Sequence, residues 1–336
     1  MFLASFNHLG RDLIGFRWGE AAVVALDGPV LQSVALTAEE SMPDSLLQLI
    51  GARPALISSI ATLASAAFLP DGVVPIATSD LRWHPPIRQP GKILGVAMNN
   101  SASDARKISA PEHPMFFLKP RSCLLGHMQE LEIRSYYGSV HPEPELAVVV
   151  GRRAKDLDPH HALDHVFGYT IMNDMTGNAM RSEDRVHYYA LYASEADSTI
   201  VERREQHLSY AARYKGSDGF GPMGPWLVTR DSILDPGALD VTCKMGDEVI
   251  AEDSTRYLTY SVAEILAYIS RYQTLEPGDI ISMGTAFKSK PGAARSLHGA
   301  DLQRVDGPVS VEITGLGTLC TPVKRRQMAL GEWRLR

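Results

Sequence analysis

Two glutamates separated by a single residue open an apolar run in His141-Pro142-Glu143-Pro144-Glu145-Leu146-Ala147-Val148-Val149-Val150-Gly151. The valine-rich part reads as a buried strand. Residues two apart on a strand face the same side, so Glu143 and Glu145 would send both carboxylates into one space. Like charges held that close are costly to bury unless a cation lies between them. A hard divalent ion such as Mg²⁺, which prefers carboxylate oxygen, is the economical answer. On spacing alone, a strand whose acidic end is simply solvated accounts for the pattern equally well. A third acid closes Gly168-Tyr169-Thr170-Ile171-Met172-Asn173-Asp174. Alone it is a common turn residue. With the glutamates it completes a three-carboxylate set that leaves coordination positions for substrate and water. Further on, Ile280-Ile281-Ser282-Met283 leads to Gly284 and Thr285. Glycine permits close backbone approach and a threonine hydroxyl can hold a carboxylate, although a strand followed by a turn needs neither role.

The elements that must carry these residues are mostly strands. From Lys92 onward, short apolar runs punctuated by Gly and Pro recur at Ile93 to Val96, Met115 to Leu118, Leu146 to Val150, Trp226 to Thr229, Val241 to Met245, Ile280 to Met283 and Val309 to Ile313. That spacing predicts mostly antiparallel strands. Two helices are expected among them: Ser261 to Tyr272, with Ile265, Leu266 and Ile269 on one face, and a second within the charged, tyrosine-rich stretch Arg181 to Tyr214. Before Pro85, Pro86, Pro90 and Gly91 lies a small leading α/β module, residues 1–88. It holds a β-rich piece at Ala21 to Leu26, a helix within Thr37 to Ile50 and a core helix in Leu56 to Leu69. The fold class is therefore α+β and β-rich.

Composition narrows the function classes. The 336 residues carry 33 Lys plus Arg against 39 Asp plus Glu, a formal net charge of −6. That argues against nucleic acid and against an anionic membrane as main partners. Cys123, Cys243 and Cys320 lie far apart with no CxxC pair, so a thiolate zinc site is not expected. The odd cysteine count and an opening stretch without an apolar core point to a cytoplasmic enzyme. Gly219 to Gly224 satisfies GxGxxG, but Pro222 and Pro225 interrupt it and no helix follows. His160-His161 and His165 follow Asp158-Pro159 and read as a solvated helix start.

In order, PEHPMFFLKP, HPEPELAVVVG, GYTIMND, KGSDGFGPMGPW, LEPGDIISMGTA and VEITGLGTL resemble the fumarylacetoacetate hydrolase superfamily from about Lys92 to Val323. The PEPELAVV and GTL-TPVK phrases are most similar to its sugar-acid dehydratase branch. The resemblance implies a mixed β-roll catalytic domain over residues 89–326, with a tail at 327–336. It also implies Mg²⁺ or Mn²⁺ held by Glu143, Glu145 and Asp174. Lys215 would be the active-site lysine, Thr285 with Gly284 would hold the substrate carboxylate, and Lys119 would lie near the site. The implied substrate is a small 2-oxo acid, and the implied assembly a homodimer.

The departures from that pattern are specific. Where hydrolytic members carry a lid histidine and, three residues later, a glutamate, this chain has Ser103 and Arg106. Asn178 stands in place of an arginine, and Arg181, three residues on, is the candidate substitute. The interval from Asp174 to Lys215 is roughly double the usual one, which implies an insertion around residues 185–212.

Three functions follow. The favoured one is hydrolysis of a C–C bond in an acylpyruvate-like acid, with the metal as Lewis acid and Lys215 and Arg181 stabilising negative charge. Asp104, or a histidine such as His187, would then activate water. The second is a lyase (dehydratase, hydratase or decarboxylase), which needs no His–Glu pair. The third is a non-catalytic member.

Overall fold

The computed structural model describes residues 1–31, 43–101, 107–285, 299–304 and 306–335. The chain opens with a meander of β1 (Phe2–His8), β2 (Arg11–Trp18) and β3 (Ala22–Ala25). Beyond a single helical turn at Gly28–Leu31, the chain forms the helices α1 (Leu46–Ile50) and α2 (Pro54–Ala64). Among the described residues of the stretch Thr37 to Ile50, the helix is Leu46–Ile50, capped by the Ser45 side chain, which accepts from Gln48 N–H. Its proposed start at Ala38 to Ser41 lies outside the described residues. The core helix keeps its predicted character, with Leu56, Ile60 and Leu63 buried.

The strands that carry the site are β4 (Ile93–Ala97), β5 (Met115–Lys119), β6 (Pro144–Val150) and β7 (Val166–Asn173). After β7 come α3 (Asn178–Glu183), β8 (Arg185–Ala193), β9 (Val201–Ser209), α4 (Ala212–Gly216) and β10 (Gly221–Thr229). The rest of the chain supplies β11 (Asp240–Met245), β12 (Glu248–Ser254), α5 (Val262–Tyr272), β13 (Ile280–Ser282), β14 (Val309–Ile313) and β15 (Gly317–Thr321). Every strand predicted from Lys92 onward is present.

One large mixed sheet runs β3-β2-β1-β10-β7-β6-β13-β4-β5. The leading meander joins it through β1, where Phe2 pairs with Val228 and Leu3 with Leu227. The 1–88 module therefore shares a sheet with the rest of the chain. Strand β6 lies inside that sheet, antiparallel to both β7 and β13. Buried on both faces, it is apolar without a break from Leu146 to Val150. Ala147 and Val149 pack toward the cluster that contains Leu56 and Ile60 of α2. Leu146, Val148 and Val150 face a second cluster with Val241, Val311 and Leu319 of the smaller β12-β11-β14-β15 sheet, and with Ile265 and Ile269 of α5. Helix α5 starts at a capping box, in which the Ser261 hydroxyl accepts from Glu264 N–H and the Glu264 carboxylate accepts from Ser261 N–H.

The second expected helix, within Arg181 to Tyr214, is found only as two short pieces at the ends of the stretch. The stretch forms the short helices α3 and α4 with a β-hairpin, β8–β9, between them. The tyrosines and β-branched residues here favour strand. Val186, Tyr188 and Tyr192 alternate on one face of β8, and the turn closes on Asp197, whose carboxylate accepts from Thr199 N–H. No helix of the described residues is long and apolar enough to cross a membrane.

Strand β7 leads directly to Asp174, and its pairing with β10 is close-packed at Gly168, where an added Cβ would lie 2.3 Å from the Val228 carbonyl oxygen. Backbone on that side cannot give way. Gly168→Ala is expected to cost about 1–3 kcal/mol in urea unfolding; an unchanged unfolding midpoint would contradict this packing.

Candidate metal and active site

Strand β6 begins at Pro144, so Glu143 and Glu145 flank its first residue and project toward one side, as their spacing predicted. The Thr285 hydroxyl lies 2.9 Å from Glu143 Oε2 and 3.1 Å from Glu145 Oε1, bridging the pair. Asp174 follows the end of β7, and its N–H donates to the Glu143 carbonyl at 2.9 Å. Glu145 and Asp174 are buried and Glu143 is 17% exposed. One oxygen from each of the three carboxylates lies within 4.8 Å of the others.

Two buried lysines meet these acids. Lys215, at the end of α4, donates to Glu143 Oε2 at 2.8 Å, to Asp174 Oδ2 at 2.7 Å and to the Asp174 carbonyl at 3.2 Å. Lys119, the last residue of β5, reaches Asp174 Oδ1 at 2.5 Å and also donates to the carbonyls of Lys215 and Phe220. Lys119 thereby ties the α4 backbone to the Asp174 carboxylate.

Glu145 is held by the neighbouring strand β13. Its Oε2 accepts from the Ser282 hydroxyl at 2.5 Å and from Gly284 N–H at 2.9 Å. Gly284 has φ +93°, and a Cβ there would come within 2.9 Å of Asn99 Cβ. The N–H can be aimed this way only because the residue is glycine. Two asparagines after β4 fix this turn. Asn99 Nδ2 donates to the Met283 carbonyl at 2.8 Å, and Asn100 Nδ2 to the Thr285 carbonyl at 3.0 Å.

Glu143 has its own support. Its Oε1 accepts from Thr176 Oγ1 at 2.7 Å and faces His141 Nε2 at 3.0 Å. Asn178 Nδ2 lies 2.8 Å from His141 Nδ1. With the amide donating there, Nε2 carries the proton and donates to Glu143. Asn178 thus sets the tautomer of a fully buried histidine. Among the described residues no hydrogen bond joins Arg181 to the carboxylates; it is exposed on α3. Asp104 lies outside the described residues. His187 stands on the hairpin, bonded to Glu205.

The electrostatics separate the two glutamates. Burial would raise both. For Glu143 the Lys215 ammonium and His141 outweigh burial and hold the carboxyl well below the usual range. For Glu145, burial and the negative charges of Asp174 and Glu143 prevail over Lys215, and the carboxyl is pushed up to about 8. Burial works to lower Lys215, but Asp174, Glu143 and Glu145 more than offset it and keep the ammonium charged. Two ammoniums therefore do not neutralise three carboxylates comfortably. A divalent cation would remove the excess, and an all-oxygen donor set suits Mg²⁺ or Mn²⁺. The residues fit such an ion.

The sequence reading identified Glu143, Glu145, Asp174, Lys215, Lys119, Thr285 and Gly284, and the fold brings all seven together. It missed Ser282, His141, Asn178 and Asn100 as supports. In the sequence Asn178 stands out only as a departure from the family arginine, and its partnership with His141 spans 37 residues.

Residues 92–324 match the model of the fumarylacetoacetate (FAA) hydrolase C-terminal family. A Burkholderia multivorans protein, named as a hydrolase without a stated reaction, is 30% identical over 266 residues, 78% of this chain and 84% of that protein. The solved fumarylacetoacetate hydrolase of Exiguobacterium antarcticum is 27% identical, with 97% of this chain and 100% of that one covered and a TM-score of 0.70. Maleylpyruvate hydrolase from Sphingobium sp. SYK-6, solved with manganese(II) and pyruvate, is 25% identical over the same shares, with a TM-score of 0.68.

The raised Glu145 carboxyl makes metal uptake proton-linked. Between the ordinary carboxylate value and about 8 the group holds a proton that a metal must expel. Mg²⁺ or Mn²⁺ affinity is expected to tighten by up to about tenfold per pH unit from pH 6 to 8, then level off, with about one proton released per ion in calorimetry. A flat profile would contradict the assignment.

Proposed function

The chain belongs to the fumarylacetoacetate (FAA) hydrolase family, and from that premise we propose that it is a divalent-metal-dependent hydrolase cleaving a C–C bond in an acylpyruvate-like 2-oxo acid. The observation that carries this reading is the convergence of Glu143, Glu145 and Asp174 on one buried point with the Lys215 ammonium bonded to two of them. The manganese and pyruvate found in the Sphingobium maleylpyruvate hydrolase support the same chemistry.

Glu143, Glu145 and Asp174 would hold the ion. When bound, it supplies Lewis-acid polarisation of the oxygens of a 2-oxo acid. Ser282, Gly284 and Thr285 fix the Glu145 and Glu143 oxygens so that little reorganisation accompanies binding. Lys215 places a permanent positive charge where negative charge develops as the C–C bond breaks. Lys119 acts through Asp174 and the α4 backbone and is a positioning residue. His141 holds Glu143 with one nitrogen and accepts from Asn178 with the other, so it is not a free base. Asp104 remains the candidate for activating water; it lies outside the described residues.

A lyase reaction is the second reading. Ser103 and Arg106 favour it, standing where hydrolytic members would carry their His–Glu pair. Product mass separates the two. Purified protein with Mn²⁺ is expected to convert an acylpyruvate into two fragments whose summed mass exceeds the substrate by one water, with Glu143→Ala inactive. A single product lighter by water or carbon dioxide would establish the lyase instead. Lys215→Met, which keeps the stem volume, is expected to lower kcat by about 100-fold or more while the protein still binds Mn²⁺. Unchanged turnover would remove Lys215 from the mechanism.

A further inference from the structure

Among the described residues the β8–β9 hairpin stands apart from the main sheet and pairs only with itself. Both strands are nine residues long and nearly all their side chains are exposed or half-buried. A lone two-stranded ribbon is marginal in water and usually needs a further tie. His187 and His207 are directly opposed across the ribbon, and their rings stack at 4.0 Å between centroids. Glu205 lies two residues before His207, hence on the same face, and its carboxylate is bonded to His187 Nε2.

We propose that His187, Glu205 and His207 form a second metal site, on the hairpin surface, that takes a borderline divalent cation of the Zn²⁺ type and clamps β8 to β9. Imidazole nitrogen is a poor donor for Mg²⁺ and a good one for Zn²⁺. Two imidazoles and one carboxylate form a known zinc donor set, which leaves a fourth position for water. One ligand atom from each side chain already lies within 4.8 Å of the others. Zinc bonded at about 2.1 Å in a tetrahedral site sets neighbouring donors about 3.4 Å apart. The His187–Glu205 pair must open, the other separations must close by no more than about 1.4 Å, and the stacked rings must turn so that the ion lies near both ring planes; all three side chains are exposed. The two sites divide by chemistry: oxygen donors in the buried centre, mixed nitrogen and oxygen donors on the hairpin.

The test is calorimetric titration of the full chain with Zn²⁺ at neutral pH, in wild type, His207→Asn and Glu205→Gln. Circular dichroism in chelator confirms that each variant is folded. Wild type is expected to bind two equivalents, because Zn²⁺ also enters the carboxylate centre. His207→Asn should bind one, and Glu205→Gln should bind the second ion at least tenfold more weakly. Equal stoichiometry and affinity in all three proteins would overturn the proposal. A second readout is specific to the clamp. Zn²⁺ should slow tryptic cleavage after Arg203 and Arg204 in wild type and leave it unchanged in His207→Asn. Equal protection of both proteins would assign the effect to the buried centre and overturn the hairpin site.

Discussion

Three carboxylates and two ammoniums are packed together at the ends of strands, almost out of reach of water, and their charges do not cancel. That imbalance is the constraint around which the other contacts arrange themselves. Unpaired charge in such surroundings costs several kcal/mol, so each oxygen has an assigned partner. Glu145 has Ser282, Gly284 and Thr285; Glu143 has His141, Thr176 and Lys215; Asp174 has both lysines. The one charge these partners leave poorly compensated is on Glu145, whose carboxyl is raised to about 8. A centre built this way is set to accept a cation and to give up a proton as it does so.

The sheet turns sequence-distant residues into this centre. Strand β6 delivers the glutamates, β7 the aspartate, β13 the glycine and threonine, and β5 with α4 the lysines. Because β6 lies between β7 and β13, a single strand end meets ligands and supports from both neighbours. The register is locked on both faces of β6 by apolar packing. A slip of one residue would turn Glu143 and Glu145 away from Asp174. The apolar core and the polar site are in this sense one arrangement.

Much of this was legible in the chain because the informative signals are local. A period of two places Glu143 with Glu145, and apolar runs ending in Asn-Asp or Gly-Thr mark strands that finish at a site. The supports were less legible because they are long-range pairings between ordinary residue types. Nothing near Asn178 announces that it orients His141, and nothing near Asn100 announces that it holds the Thr285 carbonyl. The hairpin was misread as helix for another reason. Its charges and tyrosines give a half-polar stretch, and its alternation is carried by aromatic and β-branched residues with no buried face to sharpen it. An exposed ribbon has no solvent side and core side, which is the contrast that pattern reading relies on.

The most direct test of the central claim is electron paramagnetic resonance of Mn²⁺ titrated into wild type and into Glu145→Gln. The centre described here predicts loss of the free-ion signal up to one equivalent in wild type, reversal by excess Mg²⁺, and at least tenfold weaker binding in Glu145→Gln. Equal binding by the two proteins, or none by wild type, would mean that the three carboxylates are balanced by their lysines alone and do not form a metal centre.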